Sequence, residues 1–313
     1  MNVPAPEIER QASQRAEWVR RPERSNRSML RLMTWISLRL GRAPARFVLA
    51  GISLYFLLFT PAAKAASRAY LRRALGREPR FADLFRHFHS FASTIHDRVF
   101  LLNGRFDLFQ VEVHGKAVID EVLAAGRGAI LMGAHLGSFE AVRAIGRRQP
   151  GLRVAMVMYE ENARKLNAAL AAINPAAVQD IIPLGQLDSM LRVQACLDQG
   201  MVLGVLGDRT LGGDPTVRVP FLGADAEFPV GPMRLAAMLK RPVLFMSGLY
   251  LGGNRYAIHF ERLADFSHLE RSGRDAAIQS AVAAYAACLE RHCRAAPYNG
   301  FNFFDFWRPK DAG

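Results

Sequence analysis

From residue 109 onward, short apolar runs alternate with segments of helical periodicity, and this alternation restricts the chain to few folds. Strand-like runs occupy residues 109–113, 129–132, 153–158, 180–183, 201–206, 243–249 and 256–261. Helical patterns occupy 117–125, 139–148, 162–173, 187–199 and 232–240, with a long one at 274–294. Such an order predicts an α/β fold with a mostly parallel central sheet flanked by helices. Open sheets of this kind bind ligands beyond the carboxyl ends of their strands. Polar residues that directly follow an apolar run are therefore the first candidates for chemistry.

One such place is Gly133-Ala134-His135-Leu136-Gly137-Ser138-Phe139-Glu140, directly after the run 129–132. Gly133 breaks the strand, and Ser138 is a suitable cap for the helix that follows. His135 then sits in a strand-to-helix turn. On one continuous helix, positions five apart point about 140° away from each other. With His135 in the turn and Glu140 in the first helical turns, the two side chains are expected to meet. A carboxylate on one imidazole nitrogen fixes the tautomer and leaves the other nitrogen as a base. The competing reading is a partly exposed turn histidine beside a helix-dipole carboxylate.

Asp208-Arg209 follows a second apolar run, 201–206. Arg209 can hold a phosphate or carboxylate bidentately, or form a structural ion pair with Asp208 or a neighbour. Further on, Val219-Pro220-Phe221-Leu222-Gly223 and Phe228-Pro229-Val230-Gly231-Pro232 read as glycine- and proline-punctuated turns. Pro232 suits a first helical position, so Gly231 opens a helix whose N-terminus can receive an anion. The chain has no G-x-x-x-x-G-K-[ST], no G-x-G-x-x-G after a strand and no G-x-S-x-G, so nucleotide binding and serine-hydrolase chemistry are unsupported.

Charge points to an anionic partner. The 313 residues carry a net charge of +13, mostly as arginine. Basic and aromatic residues do not interleave on any strand, so no nucleic-acid partner is expected. Residues 1–43 hold nine arginines, and the first twenty-five or so are expected to be disordered or surface-bound. No cleavable signal is expected, because the apolar segment comes too late. That segment, residues 47–63, is uncharged and bracketed by Arg46 and Lys64. As one helix it spans about 25 Å, short of a hydrocarbon core of about 30 Å. A shallow or re-entrant anchor fits as well as a full span, and a buried core helix is the alternative. The expected organisation is a basic segment at 1–43, a membrane-associating helix at 44–76 and an α/β domain at 77–313.

Residues 81–102 form a strongly amphipathic pattern, with His87, His89 and His96 off its apolar stripe as solvated positions. Cys196, Cys288 and Cys293 make an odd count without a C-x-x-C pair, which argues for a reducing compartment and against a zinc site or structural disulfides. The aromatic tail at 301–307 is suited to line an apolar pocket, lie at a membrane interface or pack on the core.

Together these residues resemble the lysophospholipid acyltransferase superfamily and, within it, the late acyltransferases of lipid A biosynthesis. The family signature of His, four residues, then Asp or Glu is matched by His135 and Glu140. The polar pair after a later strand is matched by Asp208-Arg209. The aromatic-glycine turn is matched by Phe221-Leu222-Gly223, and the glycine leading a Leu/Ala-rich helix by Gly231. The likeness covers roughly residues 28 to 262. Two features depart from it. Where an Arg-Pro pair is usual, Met158-Tyr159-Glu160-Glu161-Asn162 stands, with Arg164 and Lys165 slightly later. The ending Asn302-Phe303-Phe304-Asp305-Phe306-Trp307 looks more like relatives found with aryl-polyene or other specialised-lipid pathways. The resemblance implies an acyltransferase at the cytoplasmic face of the inner membrane. It would move a fatty acyl group from an acyl carrier protein thioester to a hydroxyl of a lipid acceptor, with no cofactor and no metal. His135 is implied as general base and Glu140 as its partner. Backbone near Gly137 or Gly223 would hold the oxyanion. Arg164 or Arg209 would bind acceptor phosphate or the donor's phosphopantetheine. Ser138, Asp208, Phe221 and Gly231 complete the implied substrate-binding set. The rival reading is a non-catalytic, basic, membrane-associated scaffold.

Overall fold

Strand β2, Ala129–Gly133, is buried along its whole length, and its side chains divide between two cores by simple alternation. Ile130 and Met132 enter one core, while Ala129 and Leu131 enter the other. Strand β8 (Pro242–Gly252) repeats this, with Val243 and Phe245 on the first side and Leu244 and Met246 on the second. A sheet covered on both faces has no polar face to alternate with, which is why its strands read as apolar runs.

The computed structural model describes residues 27–146, 152–174, 181–184, 188–209 and 214–307. The expectation for the first twenty-five residues lies outside these, as do Asp180, Arg148 and Leu187, where one strand and two helices were expected to begin or end. The remaining strands are β1 (Gln110–His114), β3 (Val154–Tyr159), β4 (Ile181–Leu184), β5 (Val202–Leu206), β6 (Thr216–Phe221), β7 (Ala224–Pro229) and β9 (Arg255–Asp265). Seven form one sheet in the order β1-β9-β8-β2-β5-β3-β4. Only the β8–β9 pairing is antiparallel, so the sheet is mostly parallel, as the alternation predicts. β6 and β7 form a separate antiparallel hairpin. Its turn is the pair Leu222-Gly223, both at positive φ. The segment read from sequence as two loops is thus one hairpin, in which Val219 and Phe221 alternate inward with Arg218 and Pro220 outward.

The helices are α1 (Arg27–Leu40), α2 (Arg42–Phe59), α3 (Pro61–Leu75), α4 (Phe81–Leu102), α5 (Lys116–Ala124), α6 (Phe139–Gly146), α7 (Glu160–Ile173), α8 (Ser189–Asp198), α9 (Gly231–Leu239) and α10 (Arg274–Ala295). The apolar segment 47–63 is not one helix. It breaks at Thr60, whose N–H closes α2 on Phe56, and Pro61 starts α3 because proline fits the first turn, where its missing N–H costs nothing.

Helix α2 is apolar, with a mean hydropathy of 1.4, yet it buries only a narrow stripe, Leu49, Ser53 and Leu57, and packs along α4. Its first turn is clamped to the body. Arg42 donates to both oxygens of Asp97 at 2.6 and 2.8 Å, Tyr256 donates to Asp97 at 2.7 Å, and Arg46 donates to the Gly253 carbonyl at 2.8 Å. His87 and His96 are buried, not solvated, because α4 is covered on several sides. His87 accepts the Ser67 hydroxyl at 2.7 Å, and burial pushes its pKa down to about 4, so it is neutral.

Candidate active site

The pairing of β2 with β5 decides which residues meet. The two strands run parallel with Gly133 opposite Leu206. His135 and Asp208 each lie two residues further on, so the register delivers them together at the carboxyl edge of the sheet. His135 Nδ1 is 3.0 and 3.2 Å from the two oxygens of Asp208, and the His135 backbone N–H donates to Asp208 at 2.9 Å. The Asp208 side chain is 1% exposed, that of His135 29%. Burial alone would raise the Asp208 pKa. The charges and hydrogen bonds of His135, with Arg209 and Asn302, outweigh it and hold the carboxyl far below the usual range. An ionised carboxylate only accepts, so Nδ1 carries the proton and Nε2 is the basic nitrogen of the neutral ring.

Glu140 stands elsewhere. It lies in the first turn of α6, as expected, but its 5%-exposed carboxylate pairs with Arg98 of α4, with Nε–Oε1 at 2.8 Å. The Arg98 Nε–H is not aimed along that line, so the contact is an ion pair rather than an aligned hydrogen bond. The expected meeting of His135 with Glu140 is therefore replaced by His135 with Asp208. Breaking a buried pair leaves a charge uncompensated; since Arg98 is partly exposed, the cost is discounted to about 1–3 kcal/mol. Glu140→Gln is thus expected to lower the melting temperature by about 3–10 °C. Calorimetry that finds an unchanged melting temperature together with lost turnover would return Glu140 to the chemistry.

The turn between His135 and α6 is held by close backbone contact. At Gly137, φ is +71°, and a Cβ there would lie 2.2 Å from the Gly248 carbonyl oxygen, so only glycine fits. The Ser138 N–H donates to that same oxygen at 2.7 Å, and the Ser138 hydroxyl accepts the Ala141 N–H at 3.3 Å as the expected helix cap. Of the backbone near Gly137 that the resemblance implies for the oxyanion, the Gly137 N–H itself is engaged by the Asn299 carbonyl at 2.9 Å.

The residues missed in the sequence come from the C-terminal segment. Phe301 N–H donates to the His135 carbonyl at 2.7 Å, and Leu136 bridges Gly300 in antiparallel fashion. His87 Nε2–H holds the Gly300 carbonyl at 2.8 Å. Asn302 then donates to Asp208 at 2.8 Å and accepts from Arg209 Nε at 2.8 Å, while the Arg209 guanidinium lies over the Phe304 ring. A largely apolar cavity opens beside His135 and Asp208, walled by Tyr70, Phe221, Phe304, Phe306 and Trp307 among others. Trp307 donates to the Phe221 carbonyl at 3.2 Å. Cys293 also borders the cavity, but burial pushes its thiol up to about 12, which removes it as a nucleophile. Of the other expected residues, Arg164 is exposed on α7, Gly223 sits in the hairpin turn and Gly231 begins α9. None of the three borders the cavity.

Away from this cavity, Glu261, Cys288 and His292 place their ligand atoms within 4.8 Å of one another. Both Glu261 oxygens already have side-chain partners in reach, His292 Nε2 at 2.6 Å and the Arg291 guanidinium at 2.6 Å. The cluster is accounted for as an ion-pair network.

Over residues 29–304 the chain matches the family of bacterial lipid A biosynthesis acyltransferases. The protein belongs to this family. The match takes in His135, Asp208 and Asn302, so the dyad and the segment that closes over it both lie inside the acyltransferase region. No curated protein matches the chain. The cavity sets the His135 imidazole in a wall that is otherwise mostly apolar and aromatic.

Proposed function

We propose that the protein transfers a fatty acyl group from an acyl carrier protein thioester to a hydroxyl of a lipid acceptor, with His135 as general base and Asp208 as its orienting carboxylate. The observation that carries this reading is the His135 ring, fixed through Nδ1 on a buried carboxylate and set in the wall of an apolar cavity. In the reaction, His135 Nε2 takes the proton of the acceptor hydroxyl as its oxygen attacks the thioester carbonyl carbon. The tetrahedral intermediate then collapses, the carbon–sulfur bond breaks, and the imidazolium returns the proton to the leaving sulfur. Asp208 stabilises the imidazolium without itself taking the proton. The test is to incubate purified protein with acyl carrier protein thioesters and a bacterial lipid extract, and to follow the lipids by mass spectrometry. A mass increase equal to one acyl chain is expected. Protein that binds the lipids but leaves every mass unchanged would support the scaffold reading instead.

The same proposal places α2 flat in an anionic membrane surface. Its outer face exposes Phe47, Val48, Tyr55, Leu58 and Phe59 by more than half, while the buried stripe and the Arg42–Asp97 clamp keep the helix against the body. A helix held this way along its length lies in the interface rather than crossing it. Replacing Phe47, Phe56 and Phe59 with glutamate removes about 1.5–3 kcal/mol of apolar burial at each site. Binding to anionic vesicles in a flotation assay is expected to fall by more than about a hundredfold, with the melting temperature kept. A full-length protein that stays in the aqueous phase at low salt would end this part of the proposal. Truncation at residue 77 is a poorer test, because α3 supplies Tyr70 and Leu71 to the core.

A further inference from the structure

We infer that Asn302, far along the chain from both members of the dyad, is a positioning residue that sets the tautomer of His135 through Asp208. The inference rests on the proposed role of His135 as base.

The side-chain amide of Asn302 bridges two groups of opposite capacity. Its Nδ2 donates to Asp208 Oδ2 at 2.8 Å, and its Oδ1 accepts from Arg209 Nε at 2.8 Å. An arginine only donates and an ionised aspartate only accepts, so the amide has one orientation that satisfies both. Asp208 Oδ2 also takes the His135 backbone N–H at 2.9 Å, which leaves Oδ1 as the nearer partner of Nδ1 at 3.0 Å. Two donors on Oδ2 therefore fix the carboxylate's rotation and aim Oδ1 at the ring. Without the Asn302 donor, the His135 backbone N–H alone remains on Oδ2, and one donor leaves the carboxylate freer to turn away from the ring. The consequence falls on the ring. A neutral imidazole in water favours the proton on Nε2, the atom that must be bare to act as a base. Asp208 reverses that preference only while it faces Nδ1.

Asn302 is held for this purpose by contacts that do not involve its own side chain. The Gly300 carbonyl is held by His87 Nε2–H, the Phe301 N–H by the His135 carbonyl, and the Asn299 side chain bonds both backbone groups of Tyr250 at 2.7 and 3.1 Å. The segment thus stays docked when residue 302 is changed. Nothing in the sequence pattern around Asn302 signals this role, because it depends on a partner 94 residues away.

The experiment combines two readouts on Asn302→Leu, which matches asparagine in size but cannot donate. Asn302→Ala serves as a second variant should leucine prevent folding. First, in protein labelled with 15N-histidine, the ring nitrogens of His135 are identified by their loss in His135→Ala. At a pH where the ring is neutral, the wild type is expected to show a protonated Nδ1 and a bare Nε2. The Asn302 variants are expected to shift toward a protonated Nε2. A tautomer identical in wild type and variants overturns the inference, whatever the activity. Second, acyl transfer is expected to lose about 10–100-fold in kcat at unchanged KM, the scale of one hydrogen bond to a charged group. In an Asp208→Asn background the same change should have no further effect. Independent, multiplying losses would show that Asn302 does not act through Asp208. If the wild type transfers no acyl group to any lipid, the proposed function fails, and the nitrogen spectra alone decide the positioning role.

Discussion

His135→Ala is expected to reduce acyl transfer by at least about a hundredfold in kcat, the usual scale for a positioned general base. In free energy this is about 2.7 kcal/mol or more of lost transition-state stabilisation. The fold should tolerate the change. The ring is partly exposed, and Asp208 keeps the residue-135 backbone N–H and Asn302 as donors when the imidazole is gone. KM for the acyl donor should change little, since the loss lies in proton transfer and not in binding. The measurement is steady-state kinetics beside a melting curve on the purified variant. Near-wild-type turnover in a folded protein would remove His135 from the role of base.

Asp208→Asn should also be severe, up to but not beyond the loss of the base through which it acts. The carboxamide has the same shape but presents an N–H₂ where the carboxylate presented a second acceptor. One of its donors must then face Asn302 Nδ2, the residue-135 N–H or His135 Nδ1, all of which are donors in the native site. The ring can relieve that clash by moving its proton to Nε2, which gives the wrong tautomer for a base. Comparable replacement of the aspartate in a serine protease triad lowers kcat by about 10⁴. A loss of about 10³–10⁴ is therefore expected here. Arg209 also loses an anionic neighbour, so the melting temperature should fall too. Kinetics well below that temperature, with the folded fraction checked by circular dichroism, separate the two effects. If Asp208→Asn retains a tenth or more of the activity while Glu140→Gln abolishes it, the partner of His135 is Glu140 after all.

The difference between those two carboxylates shows what a sequence of this kind reveals and what it conceals. The strands were readable because a sheet buried on both faces writes itself as apolar runs, and the His135 turn was readable because Gly133 and Ser138 mark its two ends. Glu140 was a reasonable partner for His135 on spacing alone. What spacing does not carry is strand order. β2 and β5 are separated by two intervening strands in the chain, yet they are neighbours in the sheet, with Gly133 opposite Leu206. That adjacency, and not any local pattern, brings Asp208 to His135. The same reasoning covers Arg98, Asn302 and the buried His87, whose partners come from distant segments. The hairpin of β6 and β7 was concealed for a different reason. Pro220, Gly223 and Pro229 look like loop punctuation, but here Pro220 is an outward residue, and Leu222-Gly223 supplies the tight turn that joins the strands. Pro61 misled in the opposite direction, by interrupting an apolar stretch that composition alone would run together.

The antiparallel bridge between the His135 turn and the segment at Gly300 also fixes when the site can come into being. A chain leaves the ribosome from its N-terminus, and its earlier parts begin to fold first. The bonds that complete this site span 213 residues from His87 to Gly300 and 94 from Asp208 to Asn302. Contacts of such separation are the slowest to form. A nascent protein can therefore assemble β2, the His135 turn and β5 while it still lacks the strand-like segment that holds them in working geometry. Translation must pass residue 302 before Asp208 gains its Asn302 donor, so a stalled or clipped product would carry the sheet without its full site.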